Sequence, residues 1–336
     1  MRNPLQSNSP PIEPWQWVAF GALVAGLLAA DLLVFHRRPR TPSLWGSFGA
    51  VALWCLLAMG FNVFIAWWRG GTAGLQFLTG YLLEWSLSID NVFVFAVIFR
   101  YFQVPSHYQY RVLFWGILGA ILMRLGFILA GAALVARFHV VLPLLGLLLL
   151  YTALRLARPG ADQIDPDRNL VLRLARRWLP MSRKTLADRG PAECGGAFLV
   201  REDGRLRVTP LLLVLLVIET SDLLFAVDSV PAIFGITRDP FIIFTSNIFA
   251  ILGLRALYFL LAGVMRLFRH LHYGLAAAVG FVGLKMIGEW LFPRGEGGDL
   301  VPIGLSLGII AGLLAAAIVA SLISQRRQRA EDRRRE

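Results

Sequence analysis

The chain alternates long apolar runs with short polar segments, which is typical of a polytopic membrane protein. Several runs reach 18 or more residues, about the length that a helix needs to cross a ~30 Å hydrocarbon core. We therefore predict an all-α fold with about nine transmembrane helices. The predicted spans cover residues 15–35, 46–68, 77–99, 112–134, 139–156, 210–234, 241–262, 274–291 and 301–323.

Composition and charge agree with this prediction. Hydrophobic residues make up 57% of the 336 residues, against about 45–50% in a soluble domain. Of the 33 Lys and Arg residues, 25 fall in alternate polar segments, five in the others and three within spans. Because basic loops stay in the cytoplasm, we predict a multi-pass protein of the cell inner (plasma) membrane, with its N-terminus outside and its C-terminus in the cytoplasm. The net charge of +12 is explained by this topology, so no nucleic-acid partner is expected.

A single transmembrane transporter domain is expected over residues 1–324, followed by a basic cytoplasmic tail over residues 325–336. A cytoplasmic loop, residues 155–209, separates spans five and six. Both the loop and the tail are rich in arginine and are expected to meet anionic lipid. The sequence does not define an oligomeric state.

The loop contains two short elements of its own. Residues 167–179 predict an amphipathic helix on the inner membrane surface, with Leu170, Leu174 and Trp178 as its apolar stripe. Residues 198–208 predict a hairpin around an Asp-Gly turn. Thr209-Pro210 then predicts an N-cap and a first-turn proline for span six.

Two spans carry acidic residues near their centres, where each charge costs roughly 2.5–3.5 kcal/mol on insertion. Acids six residues apart occur in both spans, and each second acid is followed by Asn or Ser. Because spans three and six cross the membrane in opposite directions, these motifs form an inverted repeat, which in transporters places a site between the repeats at the midplane. The motif residues are Glu84, Asp90 and Asn91 in span three, and Asp222, Asp228 and Ser229 in span six.

Carboxylate, amide and hydroxyl oxygens together suit hard divalent cations such as Mn²⁺, Mg²⁺ or Ca²⁺. We predict a metal site formed by Glu84, Asp90, Asn91, Glu219, Asp222, Asp228 and Ser229. Supporting roles are predicted for Ser246, Asn247, Arg255, Arg124 and Asp31. For the arginines the alternative is a purely structural pairing with intramembrane acids, and for Ser246 and Asn247 it is a helix-packing hydrogen bond.

Helix geometry adds a condition. Six residues at 100° each leave the paired acids about 120° apart on a regular helix. Either the cavity is wide, or the helices are broken at the site. Pro231 favours a break beside Asp228, because a proline has no N–H for the carbonyl of Val227.

At these residues the chain resembles the TerC family of integral membrane proteins, which is named for tellurium resistance and includes the Alx type. The stretches that carry the resemblance are GYLLEWSLSIDNVFVF at 80–95, TPL at 209–211, SDLLFAVDSVPAIF at 221–234 and TSNIFAILGLRALYF at 245–259. The resemblance implies a LysE-like membrane fold and manganese efflux from the cytoplasm. It maps onto Glu84, Asp90, Asn91, Asp222, Asp228, Ser246 and Asn247.

The first hypothesis is therefore a transporter that exports divalent cations, with Mn²⁺ as substrate rather than as a permanently bound cofactor. H⁺ antiport would fit, because a buried acid can exchange a proton for a cation. No G-x-x-x-x-G-K-[ST] motif is present, and no enzymatic activity is expected. One alternative is an intramembrane aspartyl hydrolase. The other is a non-transporting scaffold of a tellurite or metal stress-resistance complex, which would recruit partners through the 155–209 loop.

Overall fold

The computed structural model describes residues 12–35, 44–138, 140–157, 170–178, 180, 182, 197–202, 204–262, 271–292 and 300–335. Within them the chain is almost entirely helical, as the hydropathy pattern predicts. The helices are α1 (Pro14–Phe35), α2 (Leu44–Arg69), α3 (Gly71–Tyr101), α4 (Ser106–Arg137), α5 (Val141–Leu156), α6 (Leu170–Trp178), α7 (Pro210–Phe234), α8 (Pro240–Leu252), α9 (Leu254–Ala262), α10 (Leu271–Leu291) and α11 (Ile303–Arg335).

Every predicted span coincides with one of these helices or with the α8–α9 pair. Among the described residues, eight segments are long and apolar enough to cross a membrane. The remaining predicted span corresponds to α5, which has only 16 residues. The last helix continues beyond the predicted span through the basic tail to Arg335.

The loop before α7 contains the two predicted elements. Strands β1 (Leu199–Glu202) and β2 (Arg205–Val208) pair antiparallel, and Gly204 in the turn has a φ of +74°, which a glycine adopts without strain. Helix α6 buries Leu172 in the apolar cluster that contains Leu211 of α7. Leu174 and Trp178, from the predicted apolar stripe, are exposed, so these two side chains face away from the protein.

Thr209 occupies the N-cap position of α7, and Pro210 follows in the first turn, as predicted. The Thr209 side chain makes no capping hydrogen bond, however. The Thr209 hydroxyl lies 3.0 Å from the carbonyl oxygen of Ala197 and 3.1 Å from that of Phe198. It therefore ties the start of α7 back to the hairpin.

The helix break was predicted in the wrong span. Helix α7 runs without interruption through Pro231 to Phe234. Pro231 lies in the last turn, so the missing hydrogen bond affects only the end of the helix. The break lies in span seven, where Gly253 separates α8 from α9.

Helix α3 lies at the centre of the molecule, packed against α2, α7, α8 and α9. Gly80 on α3 lies near Ile233 on α7, whereas Phe95 lines the same cavity as Ile218 and Asp222. The two helices that carry the acidic motifs are therefore in contact and antiparallel, which is the relation that inverted topology requires of them.

Candidate metal site

A single arginine lies at the centre of the acidic region. Arg124 projects from α4, and its Nη1 forms an ion pair with Glu84 on α3. The same nitrogen donates to the Ser229 hydroxyl and to the Asn247 side-chain oxygen, both at 3.1 Å. Its Nη2 lies 3.5 Å from Oδ1 of Asp222 on α7. Arg124 thus connects α3, α4, α7 and α8.

This cluster is fully removed from solvent. Glu84 is 0% exposed, Arg124 1% and Asp222 3%. Two carboxylates therefore face one guanidinium in a region of low dielectric constant, where an unbalanced charge is costly. If both acids are ionised, these three side chains carry a net charge of −1.

The pairing also leaves polar atoms unsatisfied. Within the described part of the chain, Oε2 of Glu84 and Oδ2 of Asp222 have no hydrogen-bond partner, nor do the Ser88 hydroxyl and the Asn247 side-chain nitrogen. Buried polar atoms are normally paired. An unpaired oxygen on each of two neighbouring carboxylates is the arrangement that a cation would complete.

A small cavity adjoins Asp222. Its volume of about 10 Å³ is close to the roughly 10–15 Å³ that one water molecule occupies. Apart from Asp222 the lining is apolar, and it comes from α3, α4, α7 and α9. The lining residues are Phe95, Leu113, Gly116, Ile117, Ala120, Ile218, Asp222 and Leu254.

The break in span seven borders this cavity, because Leu254 is the first residue of α9 after Gly253. The C-terminal end of α8 immediately precedes it. Helix C-termini carry partial negative charge, and interrupted helices in transporters use such ends to hold cations. Gly253 itself keeps right-handed helical angles (φ −76°, ψ −14°), so the interruption of span seven is confined to one residue.

Glu219 lies one turn before Asp222 on α7. It is only partly buried, and its carboxylate occupies the position that a Cβ would take at residue 119. Only glycine at 119 therefore lets this carboxylate pack directly on α4. The partial exposure sets Glu219 apart from the fully buried pair.

The remaining residues of the predicted metal site lie on the same helices. Asn91 is buried on α3. Asp90 lies on α3 and Asp228 on α7, but their side chains are outside the part of the chain that the structure describes. Ser246 is buried on α8, where its hydroxyl donates to the carbonyl of Ile242 at 2.8 Å.

Two of the predicted supporting residues form a separate pair. Arg255 on α9 forms an ion pair with Asp31 on α1, and its guanidinium carbon lies 4.1 Å from the centre of the Tyr110 ring. Both charged side chains are buried. The ion pair connects α1 with α9, and neither Asp31 nor Arg255 is among the described partners of Arg124.

Sequence reasoning missed three features. Ser88 shares a helical stripe with Glu84 but was not included in the site. The cavity beside Asp222 has no signature in the sequence. Arg69, at the end of α2, forms a buried ion pair with Asp239, which also caps α8 by accepting from the N–H of Phe241 at 3.0 Å. An aspartate directly before Pro240 is a recognisable N-cap signal.

The fold and the site define a class: an integral multi-pass membrane protein with a buried, partly unsatisfied carboxylate cluster between its helices. Comparison with known proteins gives the family. The family model described as "Integral membrane protein TerC family" matches residues 69–329. The chain belongs to the TerC family.

Relatives cover nearly the whole chain. A membrane protein of Myxococcus xanthus described as uncharacterised is 46% identical over 93% of this chain and 93% of its own length. The putative membrane-bound redox modulator Alx of Escherichia coli K12 is 42% identical over 91% of this chain and 94% of its own. The thylakoid membrane protein TERC of Arabidopsis thaliana is 41% identical over 83% and 69%. No solved structure matches.

Proposed function

We propose that this protein exports a divalent metal cation, Mn²⁺ first of all, from the cytoplasm across the inner membrane. The observation that carries the proposal is the pair of fully buried carboxylates, Glu84 and Asp222, each with one unpaired oxygen. An acidic group inside a membrane span is costly and marks an ion or proton pathway. The preference for Mn²⁺ rests on the likeness to the TerC family described above.

The surrounding atoms favour a hard cation. The described partners of Arg124 all offer oxygen: two carboxylates, the Ser229 hydroxyl and the Asn247 amide. Oxygen ligands suit Mn²⁺, Mg²⁺ and Ca²⁺, whereas thiolates suit softer metals. Asp90 and Asp228 are the proposed further ligands, because each lies on one of the two helices that carry the buried pair.

The direction of transport follows from the predicted topology. With the C-terminus in the cytoplasm, α7 begins on the inner side, and the cavity lies on the Ile218 side of Asp222. Asp222 and its cavity would then lie in the cytoplasmic half of the membrane, the side from which an exported ion enters. Protonation of the same carboxylates on the return step would couple export to H⁺ entry.

Transport is favoured over intramembrane hydrolysis by the position of Arg124. A dyad of catalytic carboxylates shares a proton directly, whereas here a guanidinium lies between Glu84 and Asp222. The redox modulation in the name of the E. coli relative is carried by no described group of this site.

Proteoliposomes test the proposal. Uptake of Mn²⁺, Mg²⁺, Ca²⁺ and Zn²⁺ is measured with and without a pH gradient, for the wild type and for Asp222→Asn. We expect Mn²⁺ uptake that the pH gradient accelerates, and a fall to the level of empty liposomes in Asp222→Asn. The variant keeps the Arg124–Glu84 pair and should fold.

Two outcomes would contradict the proposal. One is a wild type that moves none of the four ions. The other is an Asp222→Asn variant that transports as fast as the wild type. If cells expressing Asp222→Asn kept full metal resistance while deletion of the 155–209 loop abolished it, the scaffold hypothesis would replace transport.

A further inference from the structure

The two terminal nitrogens of Arg124 make unequal contacts within the site. Nη1 carries the ion pair with Glu84 and both neutral hydrogen bonds. Nη2 reaches Asp222 only at 3.5 Å, which is longer than the roughly 2.7–2.9 Å of a charge-assisted hydrogen bond. Arg124 is therefore held firmly on the Glu84 side and loosely on the Asp222 side.

The cavity lies on the loosely held side. Of the three charged residues in the cluster, only Asp222 lines it, and Oδ2 of Asp222 has no hydrogen-bond partner among the described residues. A cation arriving through this cavity would meet the carboxylate whose contact with Arg124 is weakest.

We propose that Arg124 is a tethered counter-cation that occupies the carboxylates when no metal is bound and competes with the metal for Asp222. This inference rests on the proposed function and adds a role that the metal ligands alone do not supply. A divalent ion displaces the guanidinium from Asp222 while Arg124 remains anchored to Glu84, Ser229 and Asn247. On the outward side the guanidinium returns to Asp222 and assists release of the ion.

Charge arithmetic explains why such a competitor would help. A divalent ion and a guanidinium together carry three positive charges, which Glu84 and Asp222 cannot balance alone. One further ionised carboxylate makes the loaded site neutral. Glu219, three residues before Asp222, is the nearest in sequence, and Asp90 and Asp228 each lie six residues from one of the buried acids. Without Arg124, the same three carboxylates would carry an excess negative charge over the metal and would hold it too tightly for rapid turnover.

The test measures the half-saturating Mn²⁺ concentration and the maximal transport rate separately in proteoliposomes. The pH is fixed in the alkaline range, where protons compete least with Mn²⁺. In Arg124→Gln we expect the half-saturating Mn²⁺ concentration to fall about tenfold or more, since close buried charges couple at least this strongly. The maximal rate should fall with it, because release becomes slow. If Arg124 had only a structural role, its loss would lower the maximal rate by reducing the amount of folded protein. The half-saturating Mn²⁺ concentration would then be unchanged.

Arg124→Lys keeps the inference testable if the glutamine variant does not fold. A lysine ammonium is a point charge that cannot contact Glu84 and Asp222 at once as the planar guanidinium does. The lysine then no longer contacts Asp222 but keeps its positive charge in the cluster. The half-saturating Mn²⁺ concentration should therefore fall, but by less than in Arg124→Gln. Arg69→Gln is the matched control, because it also removes a buried arginine from an ion pair but outside the cluster; its half-saturation should equal that of the wild type.

The outcomes separate the two proposals. Wild-type transport together with an unchanged or higher half-saturating concentration in both Arg124 variants would overturn the role of Arg124 and leave the transporter intact. A wild type that transports none of the divalent ions would overturn both. A fall of half-saturation in Arg69→Gln equal to that in Arg124→Gln would also overturn the inference, since the effect would not be specific to the site.

Discussion

Two of the buried arginine clusters described above, those of Arg124 and Arg255, differ in how their charges are balanced. Arg255 forms an ion pair with Asp31 beside the Tyr110 ring. Arg124 instead faces two carboxylates, and oxygens of both remain unpaired within the described part of the chain. The first arrangement connects two helices, whereas the second has capacity for another cation. We therefore expect incomplete neutralisation, rather than intramembrane charge by itself, to mark a binding site.

The largest stability difference is expected when one acid is removed from each cluster. Asp31→Asn removes the Asp31 carboxylate from Arg255, and loss of one partner of a buried ion pair costs about 3–5 kcal/mol. Asp222→Asn leaves Arg124 paired with Glu84 and should cost only about 1–2 kcal/mol. Thermal unfolding in detergent should show the larger decrease in midpoint for Asp31→Asn, although Asp222→Asn is the variant that we expect to lose transport. The comparison fails if the order of the two midpoints is reversed.

A smaller effect is expected at the contact between Glu219 and α4. In Gly119→Ala the new methyl group would overlap the Glu219 carboxylate. Because this carboxylate ends a flexible side chain, it should move aside at a cost of about 1 kcal/mol. If Glu219 belongs to the ion path, Mn²⁺ uptake should slow severalfold.

The matched control is Gly126→Ala on the same helix, where a Cβ would have no neighbour within 4 Å. It should transport as the wild type does. Equal uptake by the Gly119→Ala and Gly126→Ala variants would remove Glu219 from the site and confine the acidic cluster to the fully buried residues.

The smallest effect is expected for Ser229, an uncharged hydrogen-bond acceptor of Arg124. Ser229→Ala removes one 3.1 Å hydrogen bond from Nη1 but leaves Glu84 and Asn247 in place. The expected loss is about 1 kcal/mol of stability, measured by thermal unfolding, with transport largely retained. A complete loss of transport would instead mean that Ser229 binds the ion itself and does not merely orient the guanidinium.

Much of the fold could be predicted because a bilayer permits so few structures. Backbone groups in hydrocarbon must be satisfied within a segment, so apolar runs of sufficient length become helices. The acids were also predictable, since their cost in a membrane span makes them conspicuous. Antiparallel contact between α3 and α7 agrees with the inverted motifs, whereas the inverted repeat as a whole stays a prediction.

The pairing of charges was not predictable, because it depends on how helices pack. The sequence offers Arg124 and Arg255 a choice of several acids, and no spacing rule selects Glu84 for one and Asp31 for the other. The break at Gly253 had no signal either, since it is one of 32 glycines. Pro231 gave a misleading signal, because its position in the last turn of α7 makes its effect on the helix small.

The short helix α5 has a consequence for the surrounding lipid. At 1.5 Å per residue its 16 residues rise about 24 Å, roughly 6 Å less than the average hydrocarbon thickness. Its closest neighbour is α10, where Gly146 and Gly283 bring the two backbones together, so α5 is held at a fixed depth. Hydrophobic mismatch of this size is relieved by local thinning of the bilayer. One flank of the protein should therefore be matched to a thinner membrane than the rest, and acyl-chain length becomes a determinant of its stability.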